Sequence, residues 1–502
     1  MSEFKLYWGE IHNHNELGYA QGSLERSYDI ARSHLDFYAF TPHGLHADGG
    51  TPNGFPVVNE NWDRIQRAAA DNNIPGEFTC FLGYEWHSRE WGHLWVVSSD
   101  VDQPMYCART LADLQDHFRG TPTILGAHHT AYDGGVDWAN FDEELCPVVE
   151  IFSEHGCSER DIGPFPMLGH SGGPGGKEFT LQHGLALGKR FGFTAGTDTH
   201  DGYPGAYGQG LTGVWARENT GEGILEALQS RLCLAVTGDR ITVDFAAGDA
   251  PMGSIVEADE PRELTYRVQG WDFIKQVELV RDNIPVQVQA PDYTTPSPSG
   301  EQLYRLRLEW GWGPMKGYQV FDWKGSVQID DGRLEQVVSC FTSDPFDEHR
   351  RKRVLTRDDA GCTWQSHTSR GGMLTSRNGF VSASANDALC LEVRGNEKTR
   401  LNLTCDCETH TSLMATMPDW TLSPNRGKLE RSMSIGELLN GRQGFRMDGA
   451  PTWVVVHRAV PPHLYTMNGG YSHASGDGRY YYLRVTQENG QMAWTSPVWL
   501  GA

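Results

Sequence analysis

Short apolar runs alternate along the first half of the chain with longer stretches whose apolar positions recur every three or four residues. The runs read as buried strands and the longer stretches as amphipathic helices. The pattern predicts strands over 6–11, 37–41, 78–85, 94–98, 123–127, 148–152, 191–195 and 233–236. It predicts helices over 23–35, 60–72, 110–118, 179–189 and 222–230, the first with Ser23 as N-cap ahead of Leu24 and Tyr28. Repeated β-α units imply a parallel sheet, closed or nearly closed into a barrel. Beyond residue 240 the pattern becomes short alternating runs divided by Gly, Pro, Asn and Asp, which predicts an all-β, sandwich-like region. The expected organisation is α/β: a distorted β/α barrel over 1–240 followed by an all-β region over 241–502. The stretch 290–300, with Pro291, Pro296 and Pro298, reads as an exposed loop rather than a domain linker.

Composition changes this picture only a little. A chain of 502 residues exceeds one ordinary core, so more than one domain is expected. No run approaches the roughly 20 apolar residues of a membrane helix. The segment Met1-Ser2-Glu3-Phe4-Lys5-Leu6 lacks the basic and apolar regions of a signal peptide, which makes a cytoplasmic location the default. The 10 cysteines are scattered and read as buried free thiols. Cys405-x-Cys407 with His410 lacks the second pair that a zinc site needs. A net charge of −23, concentrated in the first 240 residues, argues against a nucleic-acid partner. The expected partner is a small-molecule substrate, with no nucleic acid and no membrane; a homo-oligomer stays open.

The chemistry lies where the predicted strands end. His12-x-His14 follows the first strand, and Asp198-x-His200 follows the strand over 191–195. A spacing of two puts both side chains on one face of an extended segment, as two ligands of one cation require. His43 and Glu85 end two further strands, His93 opens another, and His128-His129 follow 123–127. Side chains at barrel strand ends share one mouth. Imidazoles and carboxylates gathered there are the donors preferred by Zn, Mn or Fe.

In this order, H-x-H, H, E, H, HH and D-x-H on alternating β/α units, residues 6–240 resemble the PHP (polymerase and histidinol phosphatase) superfamily. The resemblance implies a distorted β/α barrel holding two or three divalent cations and hydrolysing esters. By position it implies one cation on His12, His14, Glu85 and Asp198, and a second shared by Glu85, His93 and one of His128 and His129. A third would use His43 and His200. Two departures stand out. Pro42 occupies the place of the family's usual Asp, and Asn15, Glu16 and Tyr19 occupy the stretch where many members carry another histidine. Either Glu16 substitutes there or the third cation is weak or absent. The segments Gly270-Trp271-Asp272 to Asn283 and Tyr480 to Pro497 are similar to the β domain of a PHP branch related to aryl-carbamate (carbaryl-type) hydrolases.

The implied reaction is attack by a metal-activated water. Candidates to serve the leaving group are Glu150, His155 and the spare member of the pair, taken as His129; Glu150 could equally orient a ligand histidine. Trp86, Trp91, Tyr132, Trp138 and Phe165 follow the ligand strands, whereas Arg89, Arg160 and Lys177 are a thin basic supply. That balance leans towards a carboxyl ester, carbamate or amide over a phosphoester. A catalytically silent metal-binding or interaction module is the non-enzymatic alternative. The glycine-rich stretch 169–177 reads as a connector or a lid, since Glu178 after Lys177 breaks the phosphate-loop pattern.

Overall fold

The computed structural model describes residues 3–165, 167, 173–296, 300–312, 319–343, 351–369, 386–411, 426–450 and 452–501. Residues 169–172 of the glycine-rich stretch therefore lie outside the described residues. The chain divides into two compact units. One comprises Met1–Gly270, Ile274–Ala290 and Met467–Ala502, and the other Trp271–Phe273 and Pro291–Thr466.

In the first unit, β1 (Lys5–Glu10), α1 (Leu24–His34), β2 (Phe37–Phe40), β3 (His43–His46), α2 (Pro56–Asn72), β4 (Thr79–Ser88), β5 (Gly92–Ser98) and α3 (Leu111–Phe118) follow one another. Then come β6 (Thr123–Ala127), β7 (Val148–Ser153), β8 (Gly156–Cys157), α4 (Leu181–Ala186), β9 (Gly192–Ala195), β10 (Leu211–Ala216), α5 (Gly221–Gln229) and β11 (Cys233–Val236). Ser23 caps α1 by accepting from the Arg26 N–H.

The sheet is mixed rather than parallel throughout. Parallel pairs join β1 to β2, β2 to β4, β6 to β7 and β7 to β9. However, β5 runs antiparallel to both β4 and β6, and β10 antiparallel to both β1 and β11. Only Arg89, Glu90 and Trp91 separate β4 from β5. So short a connection can turn the chain back but cannot cross over to a parallel neighbour. β2 and β3 flank β4 on one side, interrupted at Thr41-Pro42, where proline cannot donate to the ladder. Thr212 of β10 reaches β9: its hydroxyl donates to Ala195 O at 2.7 Å and accepts from Ala195 N at 3.0 Å.

The first unit does not end at residue 240. Met492–Thr495 lies antiparallel to β11, and Tyr480–Gln487 lies antiparallel to Ile274–Arg281. Alternation along the sequence shows that these segments are strands but not which edge they complete. A buried ionic group ties them to the loop after β8. Arg484 donates to Glu159 at 2.6 Å and to Glu278 at 2.7 Å, while Glu159 also accepts from Tyr482 (2.7 Å) and Trp494 (3.0 Å).

The second unit holds two five-stranded sheets whose ladders are antiparallel. Trp310 of one sheet packs on Trp364 of the other, with ring centroids 5.1 Å apart. Short helices, Ile435–Asn440 and Pro462–Tyr465, interrupt the strands. Ala290 closes a segment of the first unit and Pro291 opens the longer segment of the second, so the chain passes between units where a loop rather than a domain linker was expected. No disulfide joins the ten cysteines, eight of which are buried. Among the described residues, no helix is long and apolar enough to cross a membrane.

Candidate metal centre

After β1 the chain stays extended through the first dyad and runs beside the second. Asp198 N donates to His12 O at 3.0 Å, and His14 N donates to Thr199 O at 3.2 Å. The Glu10 carboxylate, wholly buried, pins the second dyad by accepting from the backbone N–H groups of Thr197 and Gly205. Burial pushes Glu10 up to about 8. Asp198 and His129 both adopt left-handed backbone, with φ of 50° and 31°. Non-glycine residues are held there at a cost that the surrounding packing must offset.

Two carboxylates form the heart of the cluster. Glu85 Oε2 lies 2.8 Å from His43 Nδ1, 3.4 Å from His14 Nε2 and 3.9 Å from His12 Nε2. Glu85 Oε1 lies 2.7 Å from His128 Nε2 and 4.0 Å from His93 Nδ1, and it touches His87 Nε2. Asp198 Oδ1 lies 3.0 Å from His14 Nε2 and 3.4 Å from His12 Nε2, and Oδ2 lies 3.0 Å from His155 Nε2. Donors held about 2.0–2.2 Å from one cation sit roughly 3–3.5 Å from one another, the spacing that His14 keeps to Glu85 and that His12 and His14 keep to Asp198.

The nitrogen pairs make the stronger test. His200 Nδ1 is 3.2 Å from Asp198 O, a carbonyl that can only accept, so that nitrogen carries the hydrogen. His43 Nδ1 likewise faces a carboxylate oxygen. In its neutral form each ring presents a bare lone pair at Nε2, and these two atoms lie 3.0 Å apart. Burial opposes protonation of His200, but Glu154 and Asp198 outweigh it and raise that group, a charge that a cation at Nε2 would displace. A divalent cation between them satisfies both. His12 has the same logic: Nδ1 donates to Glu150 Oε2 at 2.9 Å, while Nε2, buried and without a hydrogen bond, faces the two carboxylates. Four donor groupings result: Glu85, His93, His128 and His129; His14, His43 and His200; His12, His14 and Asp198; and His43, Glu85 and His87. The donor set fits divalent cations of the Zn, Mn or Fe class.

Titration divides the imidazoles: burial opposes protonation of His12, but Asp198 and Glu150 outweigh it and raise that group well above its ordinary value. Burial lowers His14 and His128 to about 4, which keeps them neutral and able to ligate. Burial opposes protonation of His155 too, yet Asp198 outweighs it and raises that group to about 9. Burial raises Glu150 to about 7 against the pull of His12. Burial would raise Glu85 and Asp198 as well, but surrounding imidazoles hold both well below the ordinary carboxylate range.

The structure thus gathers His12, His14, His43, Glu85, His93, His128, His129, His155, Asp198 and His200 in one place. Glu150 lies behind His12, where it orients the ring. His155 sits on the second oxygen of Asp198. Glu16 is exposed, 3.8 Å from Arg64, and does not supply the expected substitute ligand. Tyr19 is there instead, stacked on His43 at 3.8 Å. Trp86 and Trp138 are not rim residues: Trp86 is in the core, donating to Ala108 O at 2.9 Å, and Trp138 stacks on Phe191 at 5.4 Å. Phe165 packs on Phe152. Only Tyr132, stacked on His129 at 4.4 Å, reaches the centre from that aromatic group.

Sequence reasoning missed His87 and His46. Reading the strand as ending at Glu85 hid an E-x-H dyad, because β4 continues to Ser88 and puts Glu85 and His87 on one face. His46 pairs with His87 across β3 and β4. Glu154, whose Oε1 is 3.7 Å from His200 Nδ1, also carried no sequence signal beyond its residue type.

A profile for a family described as a protein of unknown function, DUF3604, matches residues 24–105 and 206–269. Uncharacterized proteins of Chlamydia muridarum and Chlamydia trachomatis serovar D are each 28% identical over 57% of this chain, and one of Chlamydia pneumoniae is 29% identical over the same share. The chain spans about half the length of the curated relatives it matches, 49% of each. A solved structure from Bacteroides vulgatus, described as a two-domain protein containing a predicted PHP-like metal-dependent phosphoesterase, is similar at 15% identity. Its TM-score is 0.32, covering 59% of this chain and 82% of that one.

Proposed function

We propose that the protein is a metal-dependent hydrolase that cleaves an ester-like bond of a small molecule, with a carboxyl ester, carbamate or amide favoured. The observation that carries this reading is the pair of facing Nε2 atoms of His43 and His200, 3.0 Å apart. In it the mixed sheet forms the wall of a PHP-type barrel. His12, His14, Glu85 and Asp198 would hold one divalent cation; Glu85, His93 and His128 would hold a second; His43 and His200 would hold a third. Such cations supply a water acidic enough to be hydroxide near neutral pH and polarise the oxygen it attacks towards. Glu150 keeps His12 in the ligating tautomer. His129, stacked on Tyr132 beside this set and kept neutral by burial, would take the proton released by the attacking water and pass it to the leaving group.

The substrate preference rests on Tyr19 and Tyr132, whose rings cover His43 and His129. Tyr19 is 47% exposed and offers an aromatic face to an uncharged substrate. A phosphoester is the second reading, with Arg89, on the connection between β4 and β5, as the cation that would meet it.

The test is elemental analysis of protein purified without chelator, beside a His12→Ala/His14→Ala variant, followed by hydrolysis of aryl esters, aryl carbamates and aryl phosphates. Bound Zn, Mn or Fe that falls in the variant, with turnover of the carbonyl substrates, is the expected result. Turnover of aryl phosphates alone moves the reading to a phosphoesterase. Metal-free protein that added metal does not change leaves a silent binding module.

A further inference from the structure

The imidazoles nearest Glu85 do not all have the same task. Glu85 Oε2 already faces His43 Nδ1, and His43 Nε2 is turned to His200. A separate cation among His43, Glu85 and His87 would require His43 to ligate through both nitrogens, which a neutral imidazole cannot do. His87 must therefore meet Glu85 in some other way. What sets His87 apart from His128 is its far nitrogen: His87 Nδ1 is engaged by His46, whereas His128 Nδ1 has no hydrogen bond. His87 Nε2 is therefore read as a donor that converges on Glu85 beside His43 Nδ1, 3.2 Å away. That leaves His87 Nδ1 as an acceptor, and His46 Nε2 lies 2.9 Å from it. The tautomers are then fixed in one direction, His46 donating to His87 and His87 donating to Glu85. The backbone register supports the same line, since His46 opposes His87 on β3 and β4, and His87 opposes His93 on β4 and β5. His87 is clamped between these neighbours, stacked on His46 at 4.6 Å and on His93 at 4.3 Å.

We propose that His87, oriented by His46, is a positioning residue that donates to Glu85 Oε1 and so fixes the carboxylate shared between two cation positions. The proposal rests on the metal-dependent reading above. Glu85 must hold two geometries at once, with Oε1 towards His128 and Oε2 towards His12 and His14. A donor that touches one oxygen only stops the carboxylate from rotating between them. Outer partners of this kind typically change metal affinity by about 10- to 100-fold when removed.

The experiment compares metal affinity, by chelator competition, and metal content at saturation in the wild type, His87→Phe, His87→Gln and His12→Ala/His14→Ala. Phe keeps the stacking and loses the donor; Gln keeps a side-chain N–H. Expected for H87F is a loss of about 10- to 100-fold in affinity for the weakest-held cation, with full content at saturation. H87Q should stay within a few-fold of wild type, and thermal unfolding of the metal-free proteins should coincide. H87F with wild-type affinity overturns the proposal. H87F short of one cation at saturation also overturns it, because His87 would then be a ligand; loss in His12→Ala/His14→Ala would still uphold the metal reading in both cases. A wild type that binds no metal removes both. Should H87F fail to fold, His46→Phe at the outer end of the line must lower affinity in the same sense, and no change there overturns the proposal.

Discussion

Glu150 illustrates how a charge can matter without touching a substrate. Its Oε2 accepts from His12 Nδ1 at 2.9 Å, and the group is 2% exposed. Replacing it with alanine frees His12 to adopt the other tautomer, so metal affinity should fall about 10- to 100-fold. Chelator competition reads that loss, and Glu150→Gln, which still accepts, should lose less. Residue types at strand ends made the cluster of candidate donors legible in the sequence, His12, His14, Glu85 and Asp198 above all. Which nitrogen each ring presents was not legible, because that depends on partners far along the chain: Glu150 is 138 residues from His12. The same distance hid the outcome for Glu16, whose exposure follows from how the segment after His14 turns.

At the scale of elements, periodicity placed most strands and helices of the first unit within a few residues, but not their directions. β5 was expected in a parallel sheet and runs antiparallel, because a three-residue connection leaves no room for a crossover. β3 and β10 were not anticipated: β3 is four residues rich in histidine, and β10 contains Gly213. The β5–β6 pair also carries a close approach. Trp95 lies over Gly126, where an added Cβ would sit 2.0 Å from the indole ring. Gly126→Val should therefore destabilise by about 1–3 kcal/mol through overpacking, measured by urea unfolding. Because Gly126 lies two residues before His128, metal content should drop alongside.

For the whole molecule, the ionic group around Arg484 joins segments that sequence reading assigned to separate domains. Glu278 is drawn below its ordinary range: burial pushes the other way, but Arg484 outweighs it. A carboxylate depressed in the folded state stabilises fully above its unfolded value of about 4.3, and that contribution disappears as pH falls through the folded value. Glu278→Gln should thus flatten the acid limb of the stability curve of metal-free protein below about pH 5, leaving the neutral region lower but parallel. Deleting everything after Thr466 removes the strand that pairs with β11 and the guanidinium that faces Glu159. The first unit should then lose its cooperative unfolding and its metal, whereas a soluble product with wild-type metal content would refute the assignment of Met467–Ala502 to that unit.

The pairing of β11 with Met492–Thr495 also sets an order of events during synthesis. Domains generally acquire structure as they leave the ribosome, earliest first. Here Pro291–Thr466 is complete before the last segment of the first unit has emerged. The histidines translated earliest wait longest for their surroundings to close. On the metal-dependent reading, cation loading would follow the emergence of Met467–Ala502, and the mixed sheet of the first unit is the stretch in which a chaperone would have most to protect.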